Sequence, residues 1–292
     1  MYAFVFTLFI CLHVNGQVGN TTKNTIVHWA DWQNDFTISL LLDIDDSMNA
    51  TRAAEIKTKL AQLFERVEQL KAKQLPAKKL LERIFHTIFE THLRTYIPLA
   101  DFPQTIEQNQ FGCVTGTLLF ALVLEKLGFD YHIYETNYHV YLIVDIDADK
   151  VLIETTDKVF GFEKNKHLIN KRIQEYQRVY DEKRKSANIY ISIFKIEREI
   201  SLIELIGLQY YNKATIAYNQ KDYEKAIQAL KKSMQLYDAE RSAELMYLTL
   251  SQYLKNNNLI DEKKDKLLRY RDFYLHKLAT KVQMSKSEIT NR

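Results

Sequence analysis

Residues 111–155 read FGCVTGTLLFALVLEKLGFDYHIYETNYHVYLIVDIDADKVLIET, and this stretch carries most of the information about the fold. A long apolar run ends at Gly128, which is typical of a buried helix with a glycine after its last turn. Three short runs rich in β-branched and aromatic residues follow, at 131–134, 139–144 and 151–155, with turn-forming residues between them. The stretch therefore predicts a helix packed on an antiparallel sheet, which places the protein in the α+β fold class.

The apolar helix is predicted to begin at Cys113. A thiol reacts as its thiolate, and the first turn of a helix favours negative charge because its backbone N–H groups lack intrahelical acceptors. Gly112 and Gly116 allow close approach of the backbone, so the amide of Cys113 can donate to a developing oxyanion. A lone cysteine is more often a small buried hydrophobe, but this position favours a chemical role.

A reactive thiol in acyl transfer needs a base, and His139 is the first residue of the second predicted strand, at 139–144. A third group must orient the imidazole, and the following strand offers Glu154 and, slightly later, Asp157. If Val144 pairs with Val151, Glu154 lies on the face of the sheet that carries His139. A slip of one residue brings Asp157 opposite His139 instead, so both acids are candidates.

Residues 80–162 contain an amphipathic helix, the helix start Gly-Cys-Val-Thr-Gly-Thr, and the strands His-Val-Tyr-Leu-Ile-Val and Leu-Ile-Glu-Thr-Thr-Asp. This order resembles the transglutaminase-like superfamily. The resemblance implies a papain/transglutaminase-like core, with a catalytic triad of Cys113, His139 and Glu154 in which glutamate replaces the usual aspartate. Val114 stands where an aromatic residue is common, which suits the broader bacterial group of proteases, amidases and proteins of unassigned activity.

The resemblance implies an enzyme: a cysteine hydrolase or acyltransferase that acts through this triad on a protein, peptide or cell-wall amide. The alternative is a catalytically inactive scaffold of the same type that binds proteins through a helical repeat. A pull-down that survives Cys113→Ala but is lost when the chain after Ile200 is removed would favour the alternative.

Helices are also predicted before this core. Asn49 or Ser47 can cap a helix that runs to about residue 74, and a second helix begins near Pro76 and ends near residue 96. Residues 38–42 form either a short strand or a packing segment. Residues 26–165 are therefore assigned to the α+β domain.

The rest of the chain, residues 166–292, is predicted to be a helical region. Residues 207–240 resemble one tetratricopeptide repeat, with departures at Lys221, where glycine is common, and at Ser233, where alanine is usual. A second, weaker helical pair is expected at 243–277. One repeat cannot bury its apolar face alone, so it must pack on this chain or on a partner.

Residues 1–16, MYAFVFTLFICLHVNG, are typical of a secretory signal peptide cleaved near Gly16, which predicts a periplasmic or secreted protein. No other segment approaches the roughly 20 apolar residues of a membrane-spanning helix. Without the leader the chain keeps one cysteine, Cys113, which has no partner for an internal disulfide.

Composition and spacing exclude several functions. The 40 basic and 37 acidic residues give a net charge of +3, and they alternate along helical stretches, so a nucleic-acid partner is not expected. The sequence has no His-x-x-x-His or Cys-x-x-Cys spacing, so neither a metal nor another cofactor is expected. The expected partners are a protein or peptide substrate and, through the helical repeat, another protein.

Overall fold

The computed structural model describes residues 36–186, 196–256 and 261–290; the predicted leader and residues 26–35 of the predicted α+β domain lie outside this range. The helices are α1 (Phe36–Leu42), α2 (Ala50–Lys71), α3 (Ala77–Thr91), α4 (Phe102–Gln108), α5 (Cys113–Leu127), α6 (Lys166–Ser186), α7 (Leu202–Asn219), α8 (Tyr223–Leu236), α9 (Glu240–Asn256) and α10 (Asp261–Thr290). The strands are β1 (Thr95–Tyr96), β2 (Gln110–Phe111), β3 (Asp130–Thr136), β4 (Val140–Ile146), β5 (Asp149–Ile153), β6 (Phe162–Glu163) and β7 (Glu197–Ile200). In these ranges no helix is long and apolar enough to cross a membrane.

The main sheet is antiparallel, with the strand order β6-β5-β4-β3-β7, and it confirms the predicted α+β class. β4 and β5 pair with Val144 opposite Val151 and Leu142 opposite Ile153. This is the pairing of Val144 with Val151 that, in the sequence analysis, selects Glu154 over Asp157. One residue beyond the last pair, Glu154 lies beside β4 near Tyr141.

Helices cover both faces of the sheet. The inner face, which includes Leu142 and Val144, packs on α5, which is buried along almost its whole length because α2, α4 and α7 surround it on the other sides. A helix enclosed in this way is apolar all round, as its sequence shows. The outer face packs Tyr141 and Leu152 against Ile169 of α6.

Two N-terminal elements differ from the sequence expectation. Residues 38–42 belong to a helix, α1, whose buried side chains Ile38, Leu41 and Leu42 follow helical spacing. α3 ends at Thr91, earlier than predicted, because the chain then forms β1, which pairs in parallel with β2. α2 begins as predicted, since the Asn49 side chain accepts a hydrogen bond from the Arg52 amide.

α7 and α8 form the helical pair predicted at 207–240. Lys221, where the repeat usually has glycine, has a φ of 63° in the left-handed region, which explains the preference for glycine at this turn. Asp222 then caps α8 by accepting from the Lys225 amide. Ser233, where alanine is usual, is fully buried, and its Oγ has no hydrogen-bond partner among the described residues.

The repeat packs on the α+β part of its own chain. Glu135 of β3 is fully buried, and its carboxylate accepts hydrogen bonds from Tyr237 and Arg241. The Gln209 side chain accepts from the Phe102 amide at 2.7 Å. β7, which lies in the region predicted as helical, adds an edge strand to the sheet because its backbone pairs with β3. The repeat's apolar face is thus covered within the molecule.

Candidate active site

Cys113 is the first residue of α5, as the sequence predicts. Gly112 precedes the helix in an extended conformation, and its amide donates to Thr115 Oγ1 at 3.0 Å. The cysteine is half-buried and forms no disulfide with any of the described residues. Its backbone amide belongs to the first turn, where N–H groups have no intrahelical acceptor.

Gly116 lets α5 approach the end of β5. A Cβ atom at this position would lie 2.9 Å from Thr155 Oγ1, which is closer than a real Cβ contact. Thr155 is buried beside it and donates to the Cys113 carbonyl at 3.4 Å. A glycine one turn into the helix therefore brings the thiol close to the strand end that carries Glu154.

His139 lies just before β4 and is held by three hydrogen bonds to Thr136. The Thr136 amide donates to the His139 carbonyl at 2.8 Å and the Thr136 hydroxyl donates to it at 3.1 Å, while the His139 amide donates to Thr136 Oγ1 at 3.1 Å. The imidazole Nε2 is hydrogen-bonded to Glu154 Oε2, and the ring lies close enough to Cys113 for this side chain to raise its pKa. Because Nε2 already binds Glu154, Nδ1 is the ring nitrogen that can interact with the thiol.

Glu154 is a buried carboxylate with several donors besides His139. Its Oε1 accepts from the Thr156 amide at 2.9 Å and from Thr156 Oγ1 at 2.7 Å. Its Oε2 accepts from the Tyr176 hydroxyl of α6 at 2.5 Å. The Tyr176 ring also lies against the His139 ring, with centroids 4.8 Å apart, so both partners are held in place.

The His139–Glu154 contact is an ion pair. Burial lowers the pKa of His139, but interactions with Cys113 and Glu154 outweigh this effect and raise that pKa to about 10. Burial raises the pKa of Glu154, but the neighbouring His139 and the donors around the carboxylate bring that pKa down to about 2. At neutral pH the imidazole is therefore protonated and the carboxylate ionised.

Asp157, the other candidate acid, has different partners. It accepts from Arg172 of α6 at 2.7 Å and from the Phe160 amide at 2.8 Å. The loop that carries both acids is closed by Gly161, where a Cβ would lie 2.2 Å from the carbonyl oxygens of Asp157 and Glu154. The structure therefore brings Glu154, and not Asp157, to His139.

Cys113 and His139 open onto a cavity of about 210 Å³ whose far wall belongs to α7. This wall consists of Leu208, Tyr211, Asn212 and Thr215, with Arg241 of α9 beside it. Sequence reasoning missed the wall because about 100 residues separate α7 from the cysteine. Tyr176 was also missed, although it continues an apolar stripe of α6 with Ile169 and Ile173 that marks the buried side of that helix.

One group within the described residues has side chains suited to a metal ion. Asp130, His132 and Asp145 place possible ligand atoms within 4.8 Å of one another on the edge of the sheet. His132 already bonds Asp145 at 3.0 Å and Glu199 at 2.7 Å. The bond to Glu199 outweighs partial burial and raises the pKa of His132, so the two carboxylate partners of this ring account for the cluster.

Comparison of the chain with protein-family models, curated proteins and solved structures gives no match. The case for a function therefore depends on the geometry of the site.

Proposed function

We propose that this protein is a thiol-dependent acyl-transfer enzyme of transglutaminase-like type, with Cys113 as nucleophile, His139 as general acid and base, and Glu154 as the group that orients the imidazole. One observation carries the proposal. The His139 ring is hydrogen-bonded to a buried carboxylate and lies beside a half-buried thiol at a helix start. A cavity beside the sulfur leaves room for a substrate.

The reaction follows from these positions. The Cys113 thiolate attacks the carbonyl carbon of an amide, and a C–S bond forms. The protonated His139 gives its Nδ1 proton to the leaving nitrogen as the C–N bond breaks. Water or an amine then attacks the thioester while His139 accepts a proton from it, and cleavage of the C–S bond regenerates the ion pair. Water as acceptor gives hydrolysis, and an amine gives transamidation.

The first turn of α5 supplies stabilisation of the oxyanion. The amide of Cys113 lies next to its own sulfur and has no acceptor within the helix, so it can donate to the carbonyl oxygen as that oxygen becomes negative. Glu154 keeps the imidazole from rotating, because its other donors, Thr156 and Tyr176, hold the carboxylate on both oxygens.

A papain/transglutaminase-like core is part of the same proposal. The helix that begins at Cys113 packs on an antiparallel sheet whose adjacent strands present His139 and Glu154, in the chain order that the resemblance implies. The substrate class is a protein, peptide or cell-wall amide. The apolar run at residues 1–16 supports export, which would place that substrate outside the cytoplasm.

The test is the alkylation rate of Cys113 by iodoacetamide at about pH 6, where a free cysteine is almost entirely protonated. We expect the protein to react at least about tenfold faster than free cysteine, because the imidazolium stabilises the thiolate. His139→Ala should abolish this advantage. His86→Ala is the matched control, since His86 is an exposed helix residue. Equal rates for the protein and free cysteine would refute the proposal.

Acyl transfer itself is tested with p-nitrophenyl acetate and mass spectrometry of the intact protein. An acetyl adduct on Cys113 should form and then decay, and Cys113→Ala should not form it. Added glycinamide should receive the acetyl group if the enzyme is a transferase, whereas a hydrolase releases only acetate. An adduct that forms equally in Cys113→Ala would contradict the assignment of the nucleophile.

The exposed side chains Tyr270, Phe273 and Leu275 of α10 favour a second candidate function, protein binding by an inactive scaffold through the helices that follow the repeat. Removing the chain after Ile200 is a poor test, because the repeat buries Glu135 of the core. Phe273→Ser is better. A protein that no longer binds Phe273→Ser but still binds Cys113→Ala would support the binding function. A protein that still binds Phe273→Ser but no longer binds Cys113→Ala would be a substrate.

A further inference from the structure

The cavity beside Cys113 lies between the sheet and α7, so the helical repeat forms part of the proposed active site. We propose that the acyl part of the substrate binds between Cys113 and α7, and that this site selects uncharged substrates with a bulky apolar side chain next to the attacked carbonyl. This inference rests on the proposed function and names its substrate class.

The chemistry of the lining excludes charge. The lining contains the apolar side chains of Leu99, Val114, Val140 and Leu208 and the aromatic rings of Tyr138 and Tyr211, together with neutral polar residues. Apart from the reacting Cys113, the described lining residues that carry charge are His139 and Arg241. Each already has a buried carboxylate partner, Glu154 and Glu135 respectively. A charged acyl group would lose its water and meet cations that are already ion-paired.

The size of the cavity sets the size of the group. Its volume of about 210 Å³ exceeds the roughly 150 Å³ of an apolar protein cavity that binds benzene. A phenyl ring or a branched aliphatic side chain therefore fits beside the thiol. A small side chain would leave most of the apolar wall without contacts, so it would gain less binding energy.

The wall is rigid, as a selective pocket requires. α7 is tied to the α+β part by Gln209, which accepts from Phe102, and by the Tyr210 hydroxyl, which donates to the Leu40 carbonyl at 3.0 Å. Gly207 brings α7 against the end of α8, since a Cβ there would lie 2.5 Å from Tyr237 Cβ. These contacts fix the positions of the side chains that face Cys113.

The experiment uses the full chain and three alkylating probes that share one reaction. In each, the Cys113 sulfur displaces chloride from a chloroacetyl group, so that a C–S bond forms and a C–Cl bond breaks. The probes are chloroacetamide, N-benzylchloroacetamide and the anionic chloroacetylglycine, and glutathione corrects for their intrinsic reactivity. Relative to chloroacetamide, we expect the benzyl probe to react about tenfold faster with the protein and the anionic probe about tenfold slower.

Two substitutions on α7 test the wall. Thr215→Trp fills the cavity and should lower the benzyl preference about tenfold, whereas Ile203→Trp, at an exposed position of the same helix, should preserve it. Circular dichroism checks that both variants fold. Should Thr215→Trp not fold, Leu208→Ala enlarges the cavity and should shift the preference towards an N-naphthylmethyl probe.

The outcomes separate the two proposals. The inference about the pocket would be overturned if the protein preferred the benzyl probe no more than glutathione does. It would also be overturned if the folded variants at Thr215 and Leu208 left this preference unchanged. The proposed function would still stand if chloroacetamide alkylation depended on His139. Loss of that dependence would overturn the proposed function itself.

Discussion

Replacement of Glu154 by glutamine tests the electrostatics of the site most directly. The side chain keeps its shape, and its amide oxygen can still accept from Tyr176 or Thr156, but the negative charge is removed. In the folded protein the pKa of Glu154 is lowered from 4.5 to about 2, which corresponds to about 3 kcal/mol. For His139 the rise from 6.5 to about 10 corresponds to about 5 kcal/mol. The larger figure includes the interaction of the ring with Cys113.

The smaller value gives the order of magnitude of the effect, since it is the net result of burial, His139, Thr156 and Tyr176. A loss of about 3 kcal/mol of stabilisation lowers the pKa of His139 by about two. The assay is NMR of ring-labelled histidine between about pH 5 and 11, with the His139 signal assigned by its loss in His139→Gln. Glu65→Gln is the control, because Glu65 is exposed on α2.

The same variant has a defined effect on stability. The raised pKa of His139 contributes stability that is complete below pH 6.5 and is lost as the pH rises towards about 10. The lowered pKa of Glu154 contributes stability that is complete above pH 4.5 and is lost as the pH falls towards about 2. Glu154→Gln should therefore destabilise most between pH 4.5 and 6.5, by about 3 kcal/mol in urea unfolding. An unchanged pKa of His139 would refute the ion pair.

Three further predictions concern other parts of the molecule. Gly161→Ala should lower the free energy of unfolding by more than about 2 kcal/mol, because the methyl group of alanine would meet the backbone at Glu154. The same change should reduce the alkylation rate of Cys113. Unchanged urea unfolding would contradict this prediction. His132→Gln should destabilise at pH 5.5 more than at pH 9, since a raised pKa gives stability that disappears at higher pH; equal losses would exclude a charged His132. Ser233→Ala should raise the melting temperature by about 2–4 °C by removing a buried hydroxyl without a partner, and a lower value would show that the hydroxyl is satisfied.

Local sequence signals account for much of the fold. Asn49 and Gly128 mark helix ends because a capping side chain and a left-handed glycine satisfy backbone groups within a few residues. The three runs after Gly128 that are rich in β-branched and aromatic residues form paired strands, and the second and third pair in the register that places Glu154 beside β4. The start of α5 at Cys113 was predicted in the same way, from the small residues that precede an apolar run.

The sequence by itself therefore determined the fold class, most helices and strands, and the position of the thiol, since these depend on interactions among residues close in the chain. Only the tertiary structure decided that Tyr176 holds Glu154, that α7 forms the wall opposite Cys113, and that Glu135 joins the sheet to the repeat. Contacts between residues far apart in the chain depend on which apolar faces meet, and periodicity within one segment carries no information about its partner.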